Sequence, residues 1–251
     1  MSDDFIAVIL AAGKGTRMKA KKINKVMYLL AGKPMINYTI NLLKKVNQFK
    51  KIIIVVGFAK KSITDYLGHK YIYVMQRKRL GTAHAVKVAL SLIPTNTCHV
   101  FVINAHDSAF YPSKVISNLI NLHLKENGDL TFLTVDMKKP NFARVIRGAK
   151  GQILGIVEQQ NLSTNQVKIK EINCGCYCFK TGFLKKYLQK VTRNEVSREY
   201  YITELIEIGV KNNCQILAYK MDKEEYFQGI NTKIQLMEAE IKMKKKQLYD
   251  T

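Results

Sequence analysis

Residues 5–18 read F-I-A-V-I-L-A-A-G-K-G-T-R-M, and this segment sets the architecture of the chain. Its apolar first five residues predict a buried strand, and the glycine-rich remainder predicts a loop directly after that strand. In an open parallel sheet, ligands bind beyond the carboxyl ends of the strands, where backbone NH groups near Gly13 and Gly15 can approach phosphate oxygens closely. Lys14 and Arg17 add positive charge, so the loop is a candidate triphosphate site.

The spacing of this loop excludes two common phosphate motifs. A dinucleotide fingerprint requires G-x-G-x-x-G, and Met18 occupies the position of the third glycine. A Walker loop requires G-x-x-x-x-G-K-[ST], which the loop does not match. Taken alone, the loop leaves two interpretations open, namely nucleotide binding and an ordinary strand-to-helix turn.

Composition predicts one large globular domain, because the 251 residues are 47% hydrophobic. No apolar run approaches a membrane span, and the start Met1-Ser2-Asp3-Asp4 lacks a cationic signal region, so we expect a cytoplasmic protein without a membrane partner. The formal net charge of +22 attracts anions of every kind. Lysine pairs at 44–45, 60–61 and 185–186 favour a solvated surface. No recognised binding motif accompanies the charge, so no nucleic-acid partner is expected.

Three of the five cysteines lie in C-G-C-Y-C, residues 174–178. An odd total argues against a disulfide framework and favours a reducing compartment. Alternate residues of a strand point to one face, whereas zinc sites usually take ligands from two clusters with longer spacers. We therefore predict thiols that are buried in the core or line a site.

Strands and helices alternate in the first part of the chain. The predicted strands are residues 5–10, 51–56, 71–75, 98–103 and 130–135, and the predicted helices are 34–46, 82–93 and 111–126. The first of these helices opens at Pro34, a plausible first helical position. This alternation predicts an α/β fold with a doubly wound, mainly parallel sheet.

The second part has shorter extended stretches at residues 143–147, 152–158, 171–179 and 214–219, with helices at 182–190 and 199–212. They predict a small antiparallel extension that completes one cleft. Residues 232–249 lack glycine and proline, and they predict a long C-terminal helix. Its apolar stripe, Ile234, Met237, Ile241 and Leu248, is expected to face the core, with a partner-binding or membrane-surface role as the alternative.

Five ordered segments carry a resemblance: the loop at residues 10–18, Lys25-Val26, Gln76 with L-G-T-A-H-A at 80–85, E-I-N at 171–173, and G-I-N at 229–231. Over residues 5–235 the chain resembles the sugar-1-phosphate nucleotidylyltransferases, especially the domain that transfers uridylate to N-acetylglucosamine 1-phosphate. The resemblance implies their Rossmann-like fold, with a nucleotide half at 1–135, a sugar half at 136–231 and a helix at 232–251.

The resemblance implies Mg²⁺-dependent transfer of UMP from UTP to N-acetylglucosamine 1-phosphate, with pyrophosphate released. Arg17 and Lys25 would clamp the phosphates, since two anions must be brought together. The nucleotide-binding positions implied are Leu10, Ala11, Ala12, Gly13, Gly15, Gln76, Gly81 and Thr82. Gln76 would pair with the base through its amide, while the alternative for residues 76–81 is a basic surface loop.

Asp107, after the strand at residues 98–103, matches the magnesium aspartate of the family, and Asn231 matches the second ligand. An Asp with an Asn indicates the uridylyltransferase subgroup, and Mg²⁺ commonly takes only one or two protein ligands. Taken alone, Asp107 is also compatible with a turn. The sugar-binding positions implied are Ala143, Arg144, Glu158, Asn173 and Tyr201. No general base is required, because a phosphate monoester is already an anionic nucleophile.

Three positions depart from the family. His106 and Ala143 stand where the family usually has glycine, and Cys174 stands where it usually has threonine. His106 would crowd the ribose or contact phosphate, and Ala143 would alter which sugar fits. Two alternatives therefore remain open: a related nucleotidylyltransferase that uses another sugar or base, and a catalytically weak nucleotide-binding regulatory homologue. Bifunctional relatives continue into a hexapeptide-repeat acetyltransferase domain; the chain stops at Thr251, so we expect no acetyltransferase activity and leave the oligomeric state open.

Overall fold

The computed structural model describes residues 4–138 and 140–249, without the side chains of residues 246–249. The strands are β1 (Phe5–Ala11), β2 (Leu29–Leu30), β3 (Lys33–Pro34), β4 (Phe49–Val56), β5 (Ile72–Met75), β6 (His99–Asn104), β7 (Leu130–Asp136), β8 (Arg144–Arg147), β9 (Ile153–Val157), β10 (Glu171–Lys180) and β11 (Ile216–Met221). The α-helices are α1 (Met35–Val46), α2 (Lys60–Leu67), α3 (Thr82–Leu90), α4 (Ser113–Lys125), α5 (Thr181–Tyr187), α6 (Glu204–Lys211) and α7 (Lys233–Tyr249).

Nine strands form one sheet in the order β11-β7-β10-β6-β1-β4-β5, with β8 paired to β10 and β9 paired to β8. β1 pairs in parallel with β4 and β6, and β4 pairs in parallel with β5. β10 runs antiparallel to both β6 and β7, while β8 and β9 form an antiparallel hairpin. The predicted α/β sheet with an antiparallel extension is confirmed. β11, expected with that extension, instead pairs in parallel with β7.

Alternating residues of β1 build the two sides of the core. Phe5, Ala7 and Ile9 face α1, α2 and α4, whereas Ile6 and Val8 face α3, α5 and α6. Both sides are apolar because a parallel strand covered by helices on both faces has no solvated side. The carboxyl ends of β1, β4 and β6 therefore meet at one edge, which is where the cleft lies.

A bulge in β10 brings its glycine to that edge. Pairing with β7 shifts register between Asn173 and Tyr177, and Gly175 between them has φ +66°. A Cβ there would come within 2.3 Å of the Asn104 amide nitrogen. The bulge thus requires glycine and lets the strand pass close to the end of β6.

The cysteines of β10 lie in the core. Cys174, Cys176 and Cys178 are buried on one face with the residues of α1 and α4, which confirms the prediction of buried thiols. Burial raises the pKa of all three thiols well above its ordinary value. The predicted lysine pairs at 44–45, 60–61 and 185–186 are exposed, as expected for a solvated surface.

The helix predicted at residues 199–212 begins only at Glu204. The backbone before it is already used elsewhere: Tyr200 N donates to Leu80 O, and Ala83 N donates to Tyr200 O. Ile202 N donates to the Thr82 hydroxyl at 2.9 Å. These bonds hold the segment beside the start of α3 and prevent it from entering the helix.

The orientation predicted for the C-terminal helix is wrong. Ile234, Met237 and Ile241 of α7 are 68%, 64% and 58% exposed, and the side chain of Leu248 lies outside the described residues. The opposite face, with Ala239 and Met243, packs on a separate apolar cluster. That cluster also contains Met18, Leu30, Met35, Phe110 and Ile230. The helix therefore supports the segments that carry Arg17 and Asn231. Within the described residues, no helix is long and apolar enough to cross a bilayer.

His123, which is 1% exposed, predicts acid sensitivity of the fold. Its Nδ1 lies 2.8 Å from Thr131 Oγ1, and its Nε2 lies 3.1 Å from His99 Nδ1. Burial lowers the pKa of His123 from 6.5 to about 3, with His99 adding to the shift. Below pH 6.5, His123 becomes protonated in the unfolded chain but stays neutral in the folded chain down to about pH 3. We expect the free energy of unfolding to fall by roughly 2 kcal/mol between pH 7 and pH 5 from this group.

Urea denaturation of the wild type and of His123→Leu at both pH values measures this contribution. The variant is expected to lose that part of the pH dependence, whatever its absolute stability. His69→Leu, at an exposed position, is the control and should keep the wild-type dependence. An unchanged dependence in His123→Leu would contradict the assignment.

Candidate active site

Two adjoining cavities form one cleft beyond the carboxyl ends of β1 and β6. They have volumes of about 520 and 160 Å³. Lys25, Asn104 and His106 line both, so the cavities are continuous along one wall. The smaller cavity is bordered by Leu10, Ala11, Ala12, Gly13, Gln76, Gly81 and Thr82. The larger one holds Gly15, Arg17, Asp107, Ala143, Glu158, Asn173, Tyr201 and Asn231.

Gly13 and Gly15 lie in the loop after β1, the predicted phosphate loop, and glycine is favoured at each position for a different physical reason. Gly15 has φ +65°, and a Cβ there would come within 2.7 Å of Lys25 Cβ. Gly13 has no atom within 4 Å of its would-be Cβ, so that side of the loop is open to the cleft. Gly15 is thus required for the turn, whereas Gly13 keeps space for a ligand.

Asn24 fixes the shape of the loop, although no motif in the sequence pointed to it. Its side chain is fully buried and donates to the carbonyls of Ala11 at 3.0 Å, Gly13 at 3.3 Å and Phe58 at 2.8 Å. Its oxygen accepts from Val26 N at 3.1 Å. One amide therefore ties the end of β1 to the turn that presents Lys25.

Replacing Asn24 with alanine should lower the free energy of unfolding by about 2–4 kcal/mol, because several buried backbone groups lose their partner. The loop would also lose its fixed position. Urea denaturation measures the effect on stability. Asn165→Ala, at an exposed residue, is the control. Wild-type stability in Asn24→Ala would show that the loop holds its shape without this amide.

Arg17 and Lys25 converge on Asn231. Arg17 Nη2 donates to Asn231 Oδ1 at 3.1 Å, and Lys25 Nζ donates to the same oxygen at 3.3 Å. Burial lowers the pKa of Lys25 to about 8. Attraction to Asp107 raises this pKa, whereas repulsion from Arg17 lowers it further. Two cations that lack a full counter-charge define an anion-binding point at the centre of the cleft.

Asp107 lies beside these cations and is 7% exposed. Its Oδ2 accepts from Asn104 Nδ2 at 3.0 Å, whereas its buried Oδ1 has no hydrogen-bond partner. Burial raises the pKa of Asp107 to about 6, and Lys25, Asn104 and Arg17 oppose that shift. A buried carboxylate oxygen without a donor fits a cation ligand. In the described part of the chain, no three His, Cys, Asp or Glu side chains group around a metal position.

Gln76, which was predicted to pair with the base, lines the smaller cavity. Gln76 is 4% exposed, and its Nε2 lies 3.0 Å from both Gly81 O and His84 Nδ1. The amide is held by these two contacts at the start of α3. Thr82, the first residue of that helix, lines both cavities.

Polar groups of the second half line the far side of the larger cavity. Glu158 Oε1 accepts from the Thr203 hydroxyl at 2.7 Å, and burial raises the pKa of Glu158. Asn173 Nδ2 donates to the Tyr177 hydroxyl at 2.6 Å. Tyr201 accepts at its hydroxyl from Gln160 at 3.1 Å. This wall offers donors and acceptors rather than a charge cluster.

Arg144 does not join this wall. It is 2% exposed, and its guanidinium donates to the carbonyls of Phe142 and Pro140, the latter at 2.8 Å. It therefore stabilises the segment that leads into β8 beside Ala143, and it lines neither cavity. Cleft residues that sequence reasoning missed are Asn24, Asn104, Gly175, Tyr177, Glu199 and Thr203. A glycine inside a strand, as at Gly175, was a usable signal for a bulge.

A doubly wound α/β sheet with an anion-binding cleft at the carboxyl edge of its parallel strands defines a class of nucleotide-handling proteins. The chain belongs to one family within it, the nucleotidyl transferases, whose family model matches residues 6–244. The resemblance inferred from the five segments is confirmed.

Curated relatives and a solved structure agree with this family assignment. The bifunctional protein GlmU of Geobacillus sp. (strain WCH70) is 37% identical over 235 residues, which are 93% of this chain and 50% of that protein. GlmU of Bacillus mycoides (strain KBAB4) is 36% identical, over 97% of this chain and 52% of that protein. The chain thus spans about half the length of these curated relatives. A structure of UDP-glucose pyrophosphorylase complexed with UDP-glucose superposes with a TM-score of 0.81, covering 97% and 99% of the two chains, and its 21% identity supports the fold alone.

Proposed function

We propose that the chain transfers UMP from UTP to N-acetylglucosamine 1-phosphate in a Mg²⁺-dependent reaction. One observation carries the proposal: Arg17, Lys25 and Asp107 meet in a cleft between the phosphate loop and the polar wall formed by Glu158 and Asn173. The identity to the GlmU proteins supports the choice of substrates.

In the proposed reaction, a phosphate oxygen of the sugar phosphate attacks the α-phosphorus of UTP. The bond from that phosphorus to the bridging oxygen breaks, and pyrophosphate leaves with the electron pair. Arg17 and Lys25 offset the repulsion between the two anions and stabilise the charge that develops on the leaving group. Lys25 is protonated for this role at pH 7, because its pKa of about 8 lies above that pH.

The protein ligands proposed for magnesium are Asp107 and Asn231. Asp107 Oδ1 has no donor, and Asn231 Oδ1 faces the two cations that the phosphates would engage. Magnesium, when bound, would offset the negative charge of the phosphates. Asn104 holds the other oxygen of Asp107 and thereby orients the carboxylate.

The polar wall suits a sugar with hydroxyl and amide groups. Glu158 can accept from hydroxyls, Asn173 can both donate and accept, and Tyr201 adds a phenol. Thr203 and Tyr177 fix the first two side chains. We also propose a cytoplasmic setting, which the five unpaired cysteines support because they suit a reducing compartment.

A related transferase with another sugar or base is the second candidate. Ala143 and His106 line the larger cavity, at positions where glycine would leave more room. Each added side chain narrows the space that a sugar or a ribose can fill. This observation favours testing several substrate pairs rather than one.

The test is pyrophosphate release from a matrix of nucleotides and sugar 1-phosphates with Mg²⁺. UTP, dTTP, CTP and ATP are each combined with the 1-phosphates of N-acetylglucosamine, N-acetylgalactosamine, glucose and mannose. The highest kcat/KM is expected for UTP with N-acetylglucosamine 1-phosphate. A different best pair would select the second candidate. UTP binding by calorimetry without pyrophosphate release from any pair would instead identify a nucleotide-binding homologue without catalysis.

A further inference from the structure

His106 lies where the two cavities join and contributes to the walls of both. Its Nε2 is 3.3 Å from Asp107 Oδ1, the oxygen that has no hydrogen-bond partner. Asn231, the second proposed magnesium ligand, lines the larger cavity together with His106. The imidazole thus stands among the groups that the proposed function assigns to a divalent cation.

The distance between His106 Nε2 and Asp107 Oδ1 suits two ligands of one ion. Neighbouring ligands of a six-coordinate cation, each about 2.1–2.2 Å from it, lie about 3 Å apart. The two atoms sit close to that spacing without a hydrogen bond between them. An imidazole placed only to neutralise the carboxylate would be expected to donate to it.

The chemistry of the side chain agrees with this geometry, because an imidazole in its neutral form has one nitrogen lone pair that can bind a cation.

We propose that His106 Nε2 is an additional ligand of the divalent cation, beside Asp107 and Asn231, and that the site consequently binds Mn²⁺ and Co²⁺ in preference to Mg²⁺. The inference rests on the proposed function for the location of the cation. Magnesium prefers oxygen ligands, whereas a nitrogen ligand favours the later divalent metals in the order Mn²⁺ below Co²⁺. Phosphate oxygens and water complete the coordination.

Pulsed electron paramagnetic resonance of bound Mn²⁺ tests the ligand directly. Protein with ¹⁵N-labelled histidine is loaded with Mn²⁺ and UTP, and a ¹⁵N hyperfine coupling from a directly bound histidine is expected. The coupling should disappear in His106→Gly and in His106→Gln, which keeps a side chain in the wall. His69→Ala, at an exposed histidine, is the matched control and should retain the coupling.

Metal affinity gives a second readout that needs no turnover. Competition of Mg²⁺ and Co²⁺ against bound Mn²⁺, followed by the free Mn²⁺ signal, yields the relative affinities. In His106→Gly and His106→Gln, the preference for Co²⁺ over Mg²⁺ should fall by about tenfold. An unchanged preference would contradict the proposal.

The outcomes separate this inference from the proposed function. Mn²⁺ binding that requires Asp107 but shows no histidine coupling would overturn the ligand role of His106 and leave the proposed cation site intact. Mn²⁺ binding that is unaffected by Asp107→Ala would place the cation elsewhere and overturn both. Histidine coupling that is lost with either His106 variant supports the inference.

Discussion

Replacing Asp107 with alanine should lower the rate of pyrophosphate release by about 10³-fold or more. The carboxylate is the buried anion beside Arg17 and Lys25, and its Oδ1 is the oxygen without a donor. Without it, the cleft keeps its cations but loses the anchor for a divalent ion. The phosphates of UTP would then bind without the charge balance that transfer requires. Steady-state pyrophosphate release across Mg²⁺ concentrations measures this loss.

Folding and metal binding can be separated in that experiment. Asp107→Asn keeps the shape and removes the charge, so it should lose activity similarly. Because burial raises the pKa of Asp107 to about 6, the ionised carboxylate costs folding free energy at pH 7.5, and Asp107→Asn should unfold at an equal or higher urea concentration. Asp222→Ala, at an exposed carboxylate, is the matched control. Substantial turnover in both Asp107 variants would rule out Asp107 as the cation ligand.

Replacing Lys25 with methionine should lower kcat by about 10²–10³-fold while leaving the fold at least as stable. The ammonium reaches the centre of the cleft and donates to Asn231 Oδ1. Desolvation lowers the pKa of Lys25 from 10.5 to about 8, so its charge costs folding free energy below pH 8, and that cost disappears as the pH rises through 10.5. Methionine keeps the length of the side chain without this cost.

The measurement combines kcat with urea denaturation at pH 7. Lys25→Met should lose catalysis and keep or gain stability, a combination that a merely structural lysine would not show. Lys61→Met, at an exposed lysine on α2, is the control and should change neither quantity. A stable Lys25→Met variant with wild-type kcat would remove Lys25 from the proposed reaction.

The local pattern of the sequence was enough to predict the parallel half of the fold. Apolar β1, the glycine loop and the apolar periodicity of α1 and α4 are local signals, and each reports the face that its own element buries. The order and spacing of the five motif segments were also readable, and the resemblance they carry pointed to Arg17, Lys25, Asp107 and Asn231. Those four residues lie within one cleft.

Other features depend on contacts between distant segments. Arg144 was expected to line the sugar side, but its guanidinium donates to the carbonyls of Phe142 and Pro140, and the residue lines neither cavity. The start of α6 was misplaced because Leu80 and Thr82 pair with the segment before it. In α7, the predicted stripe with Ile234, Met237 and Ile241 is exposed, whereas Ala239 and Met243 on the other face pack on the cluster around Met18.

The nine strands of the main sheet, most of the helices, the family, and the cleft residues Arg17, Lys25 and Asp107 could be inferred from the order of residues along the chain. Short-range periodicity and motif order are properties of that order, so no folding was needed to recognise them. Which polar atoms are satisfied became visible only in the folded protein. Asn24 is tied to three carbonyls, whereas Asp107 Oδ1 has no donor, and His106 stands beside it. Burial and hydrogen bonding across the fold set these differences, because they arise from segments that only folding brings together.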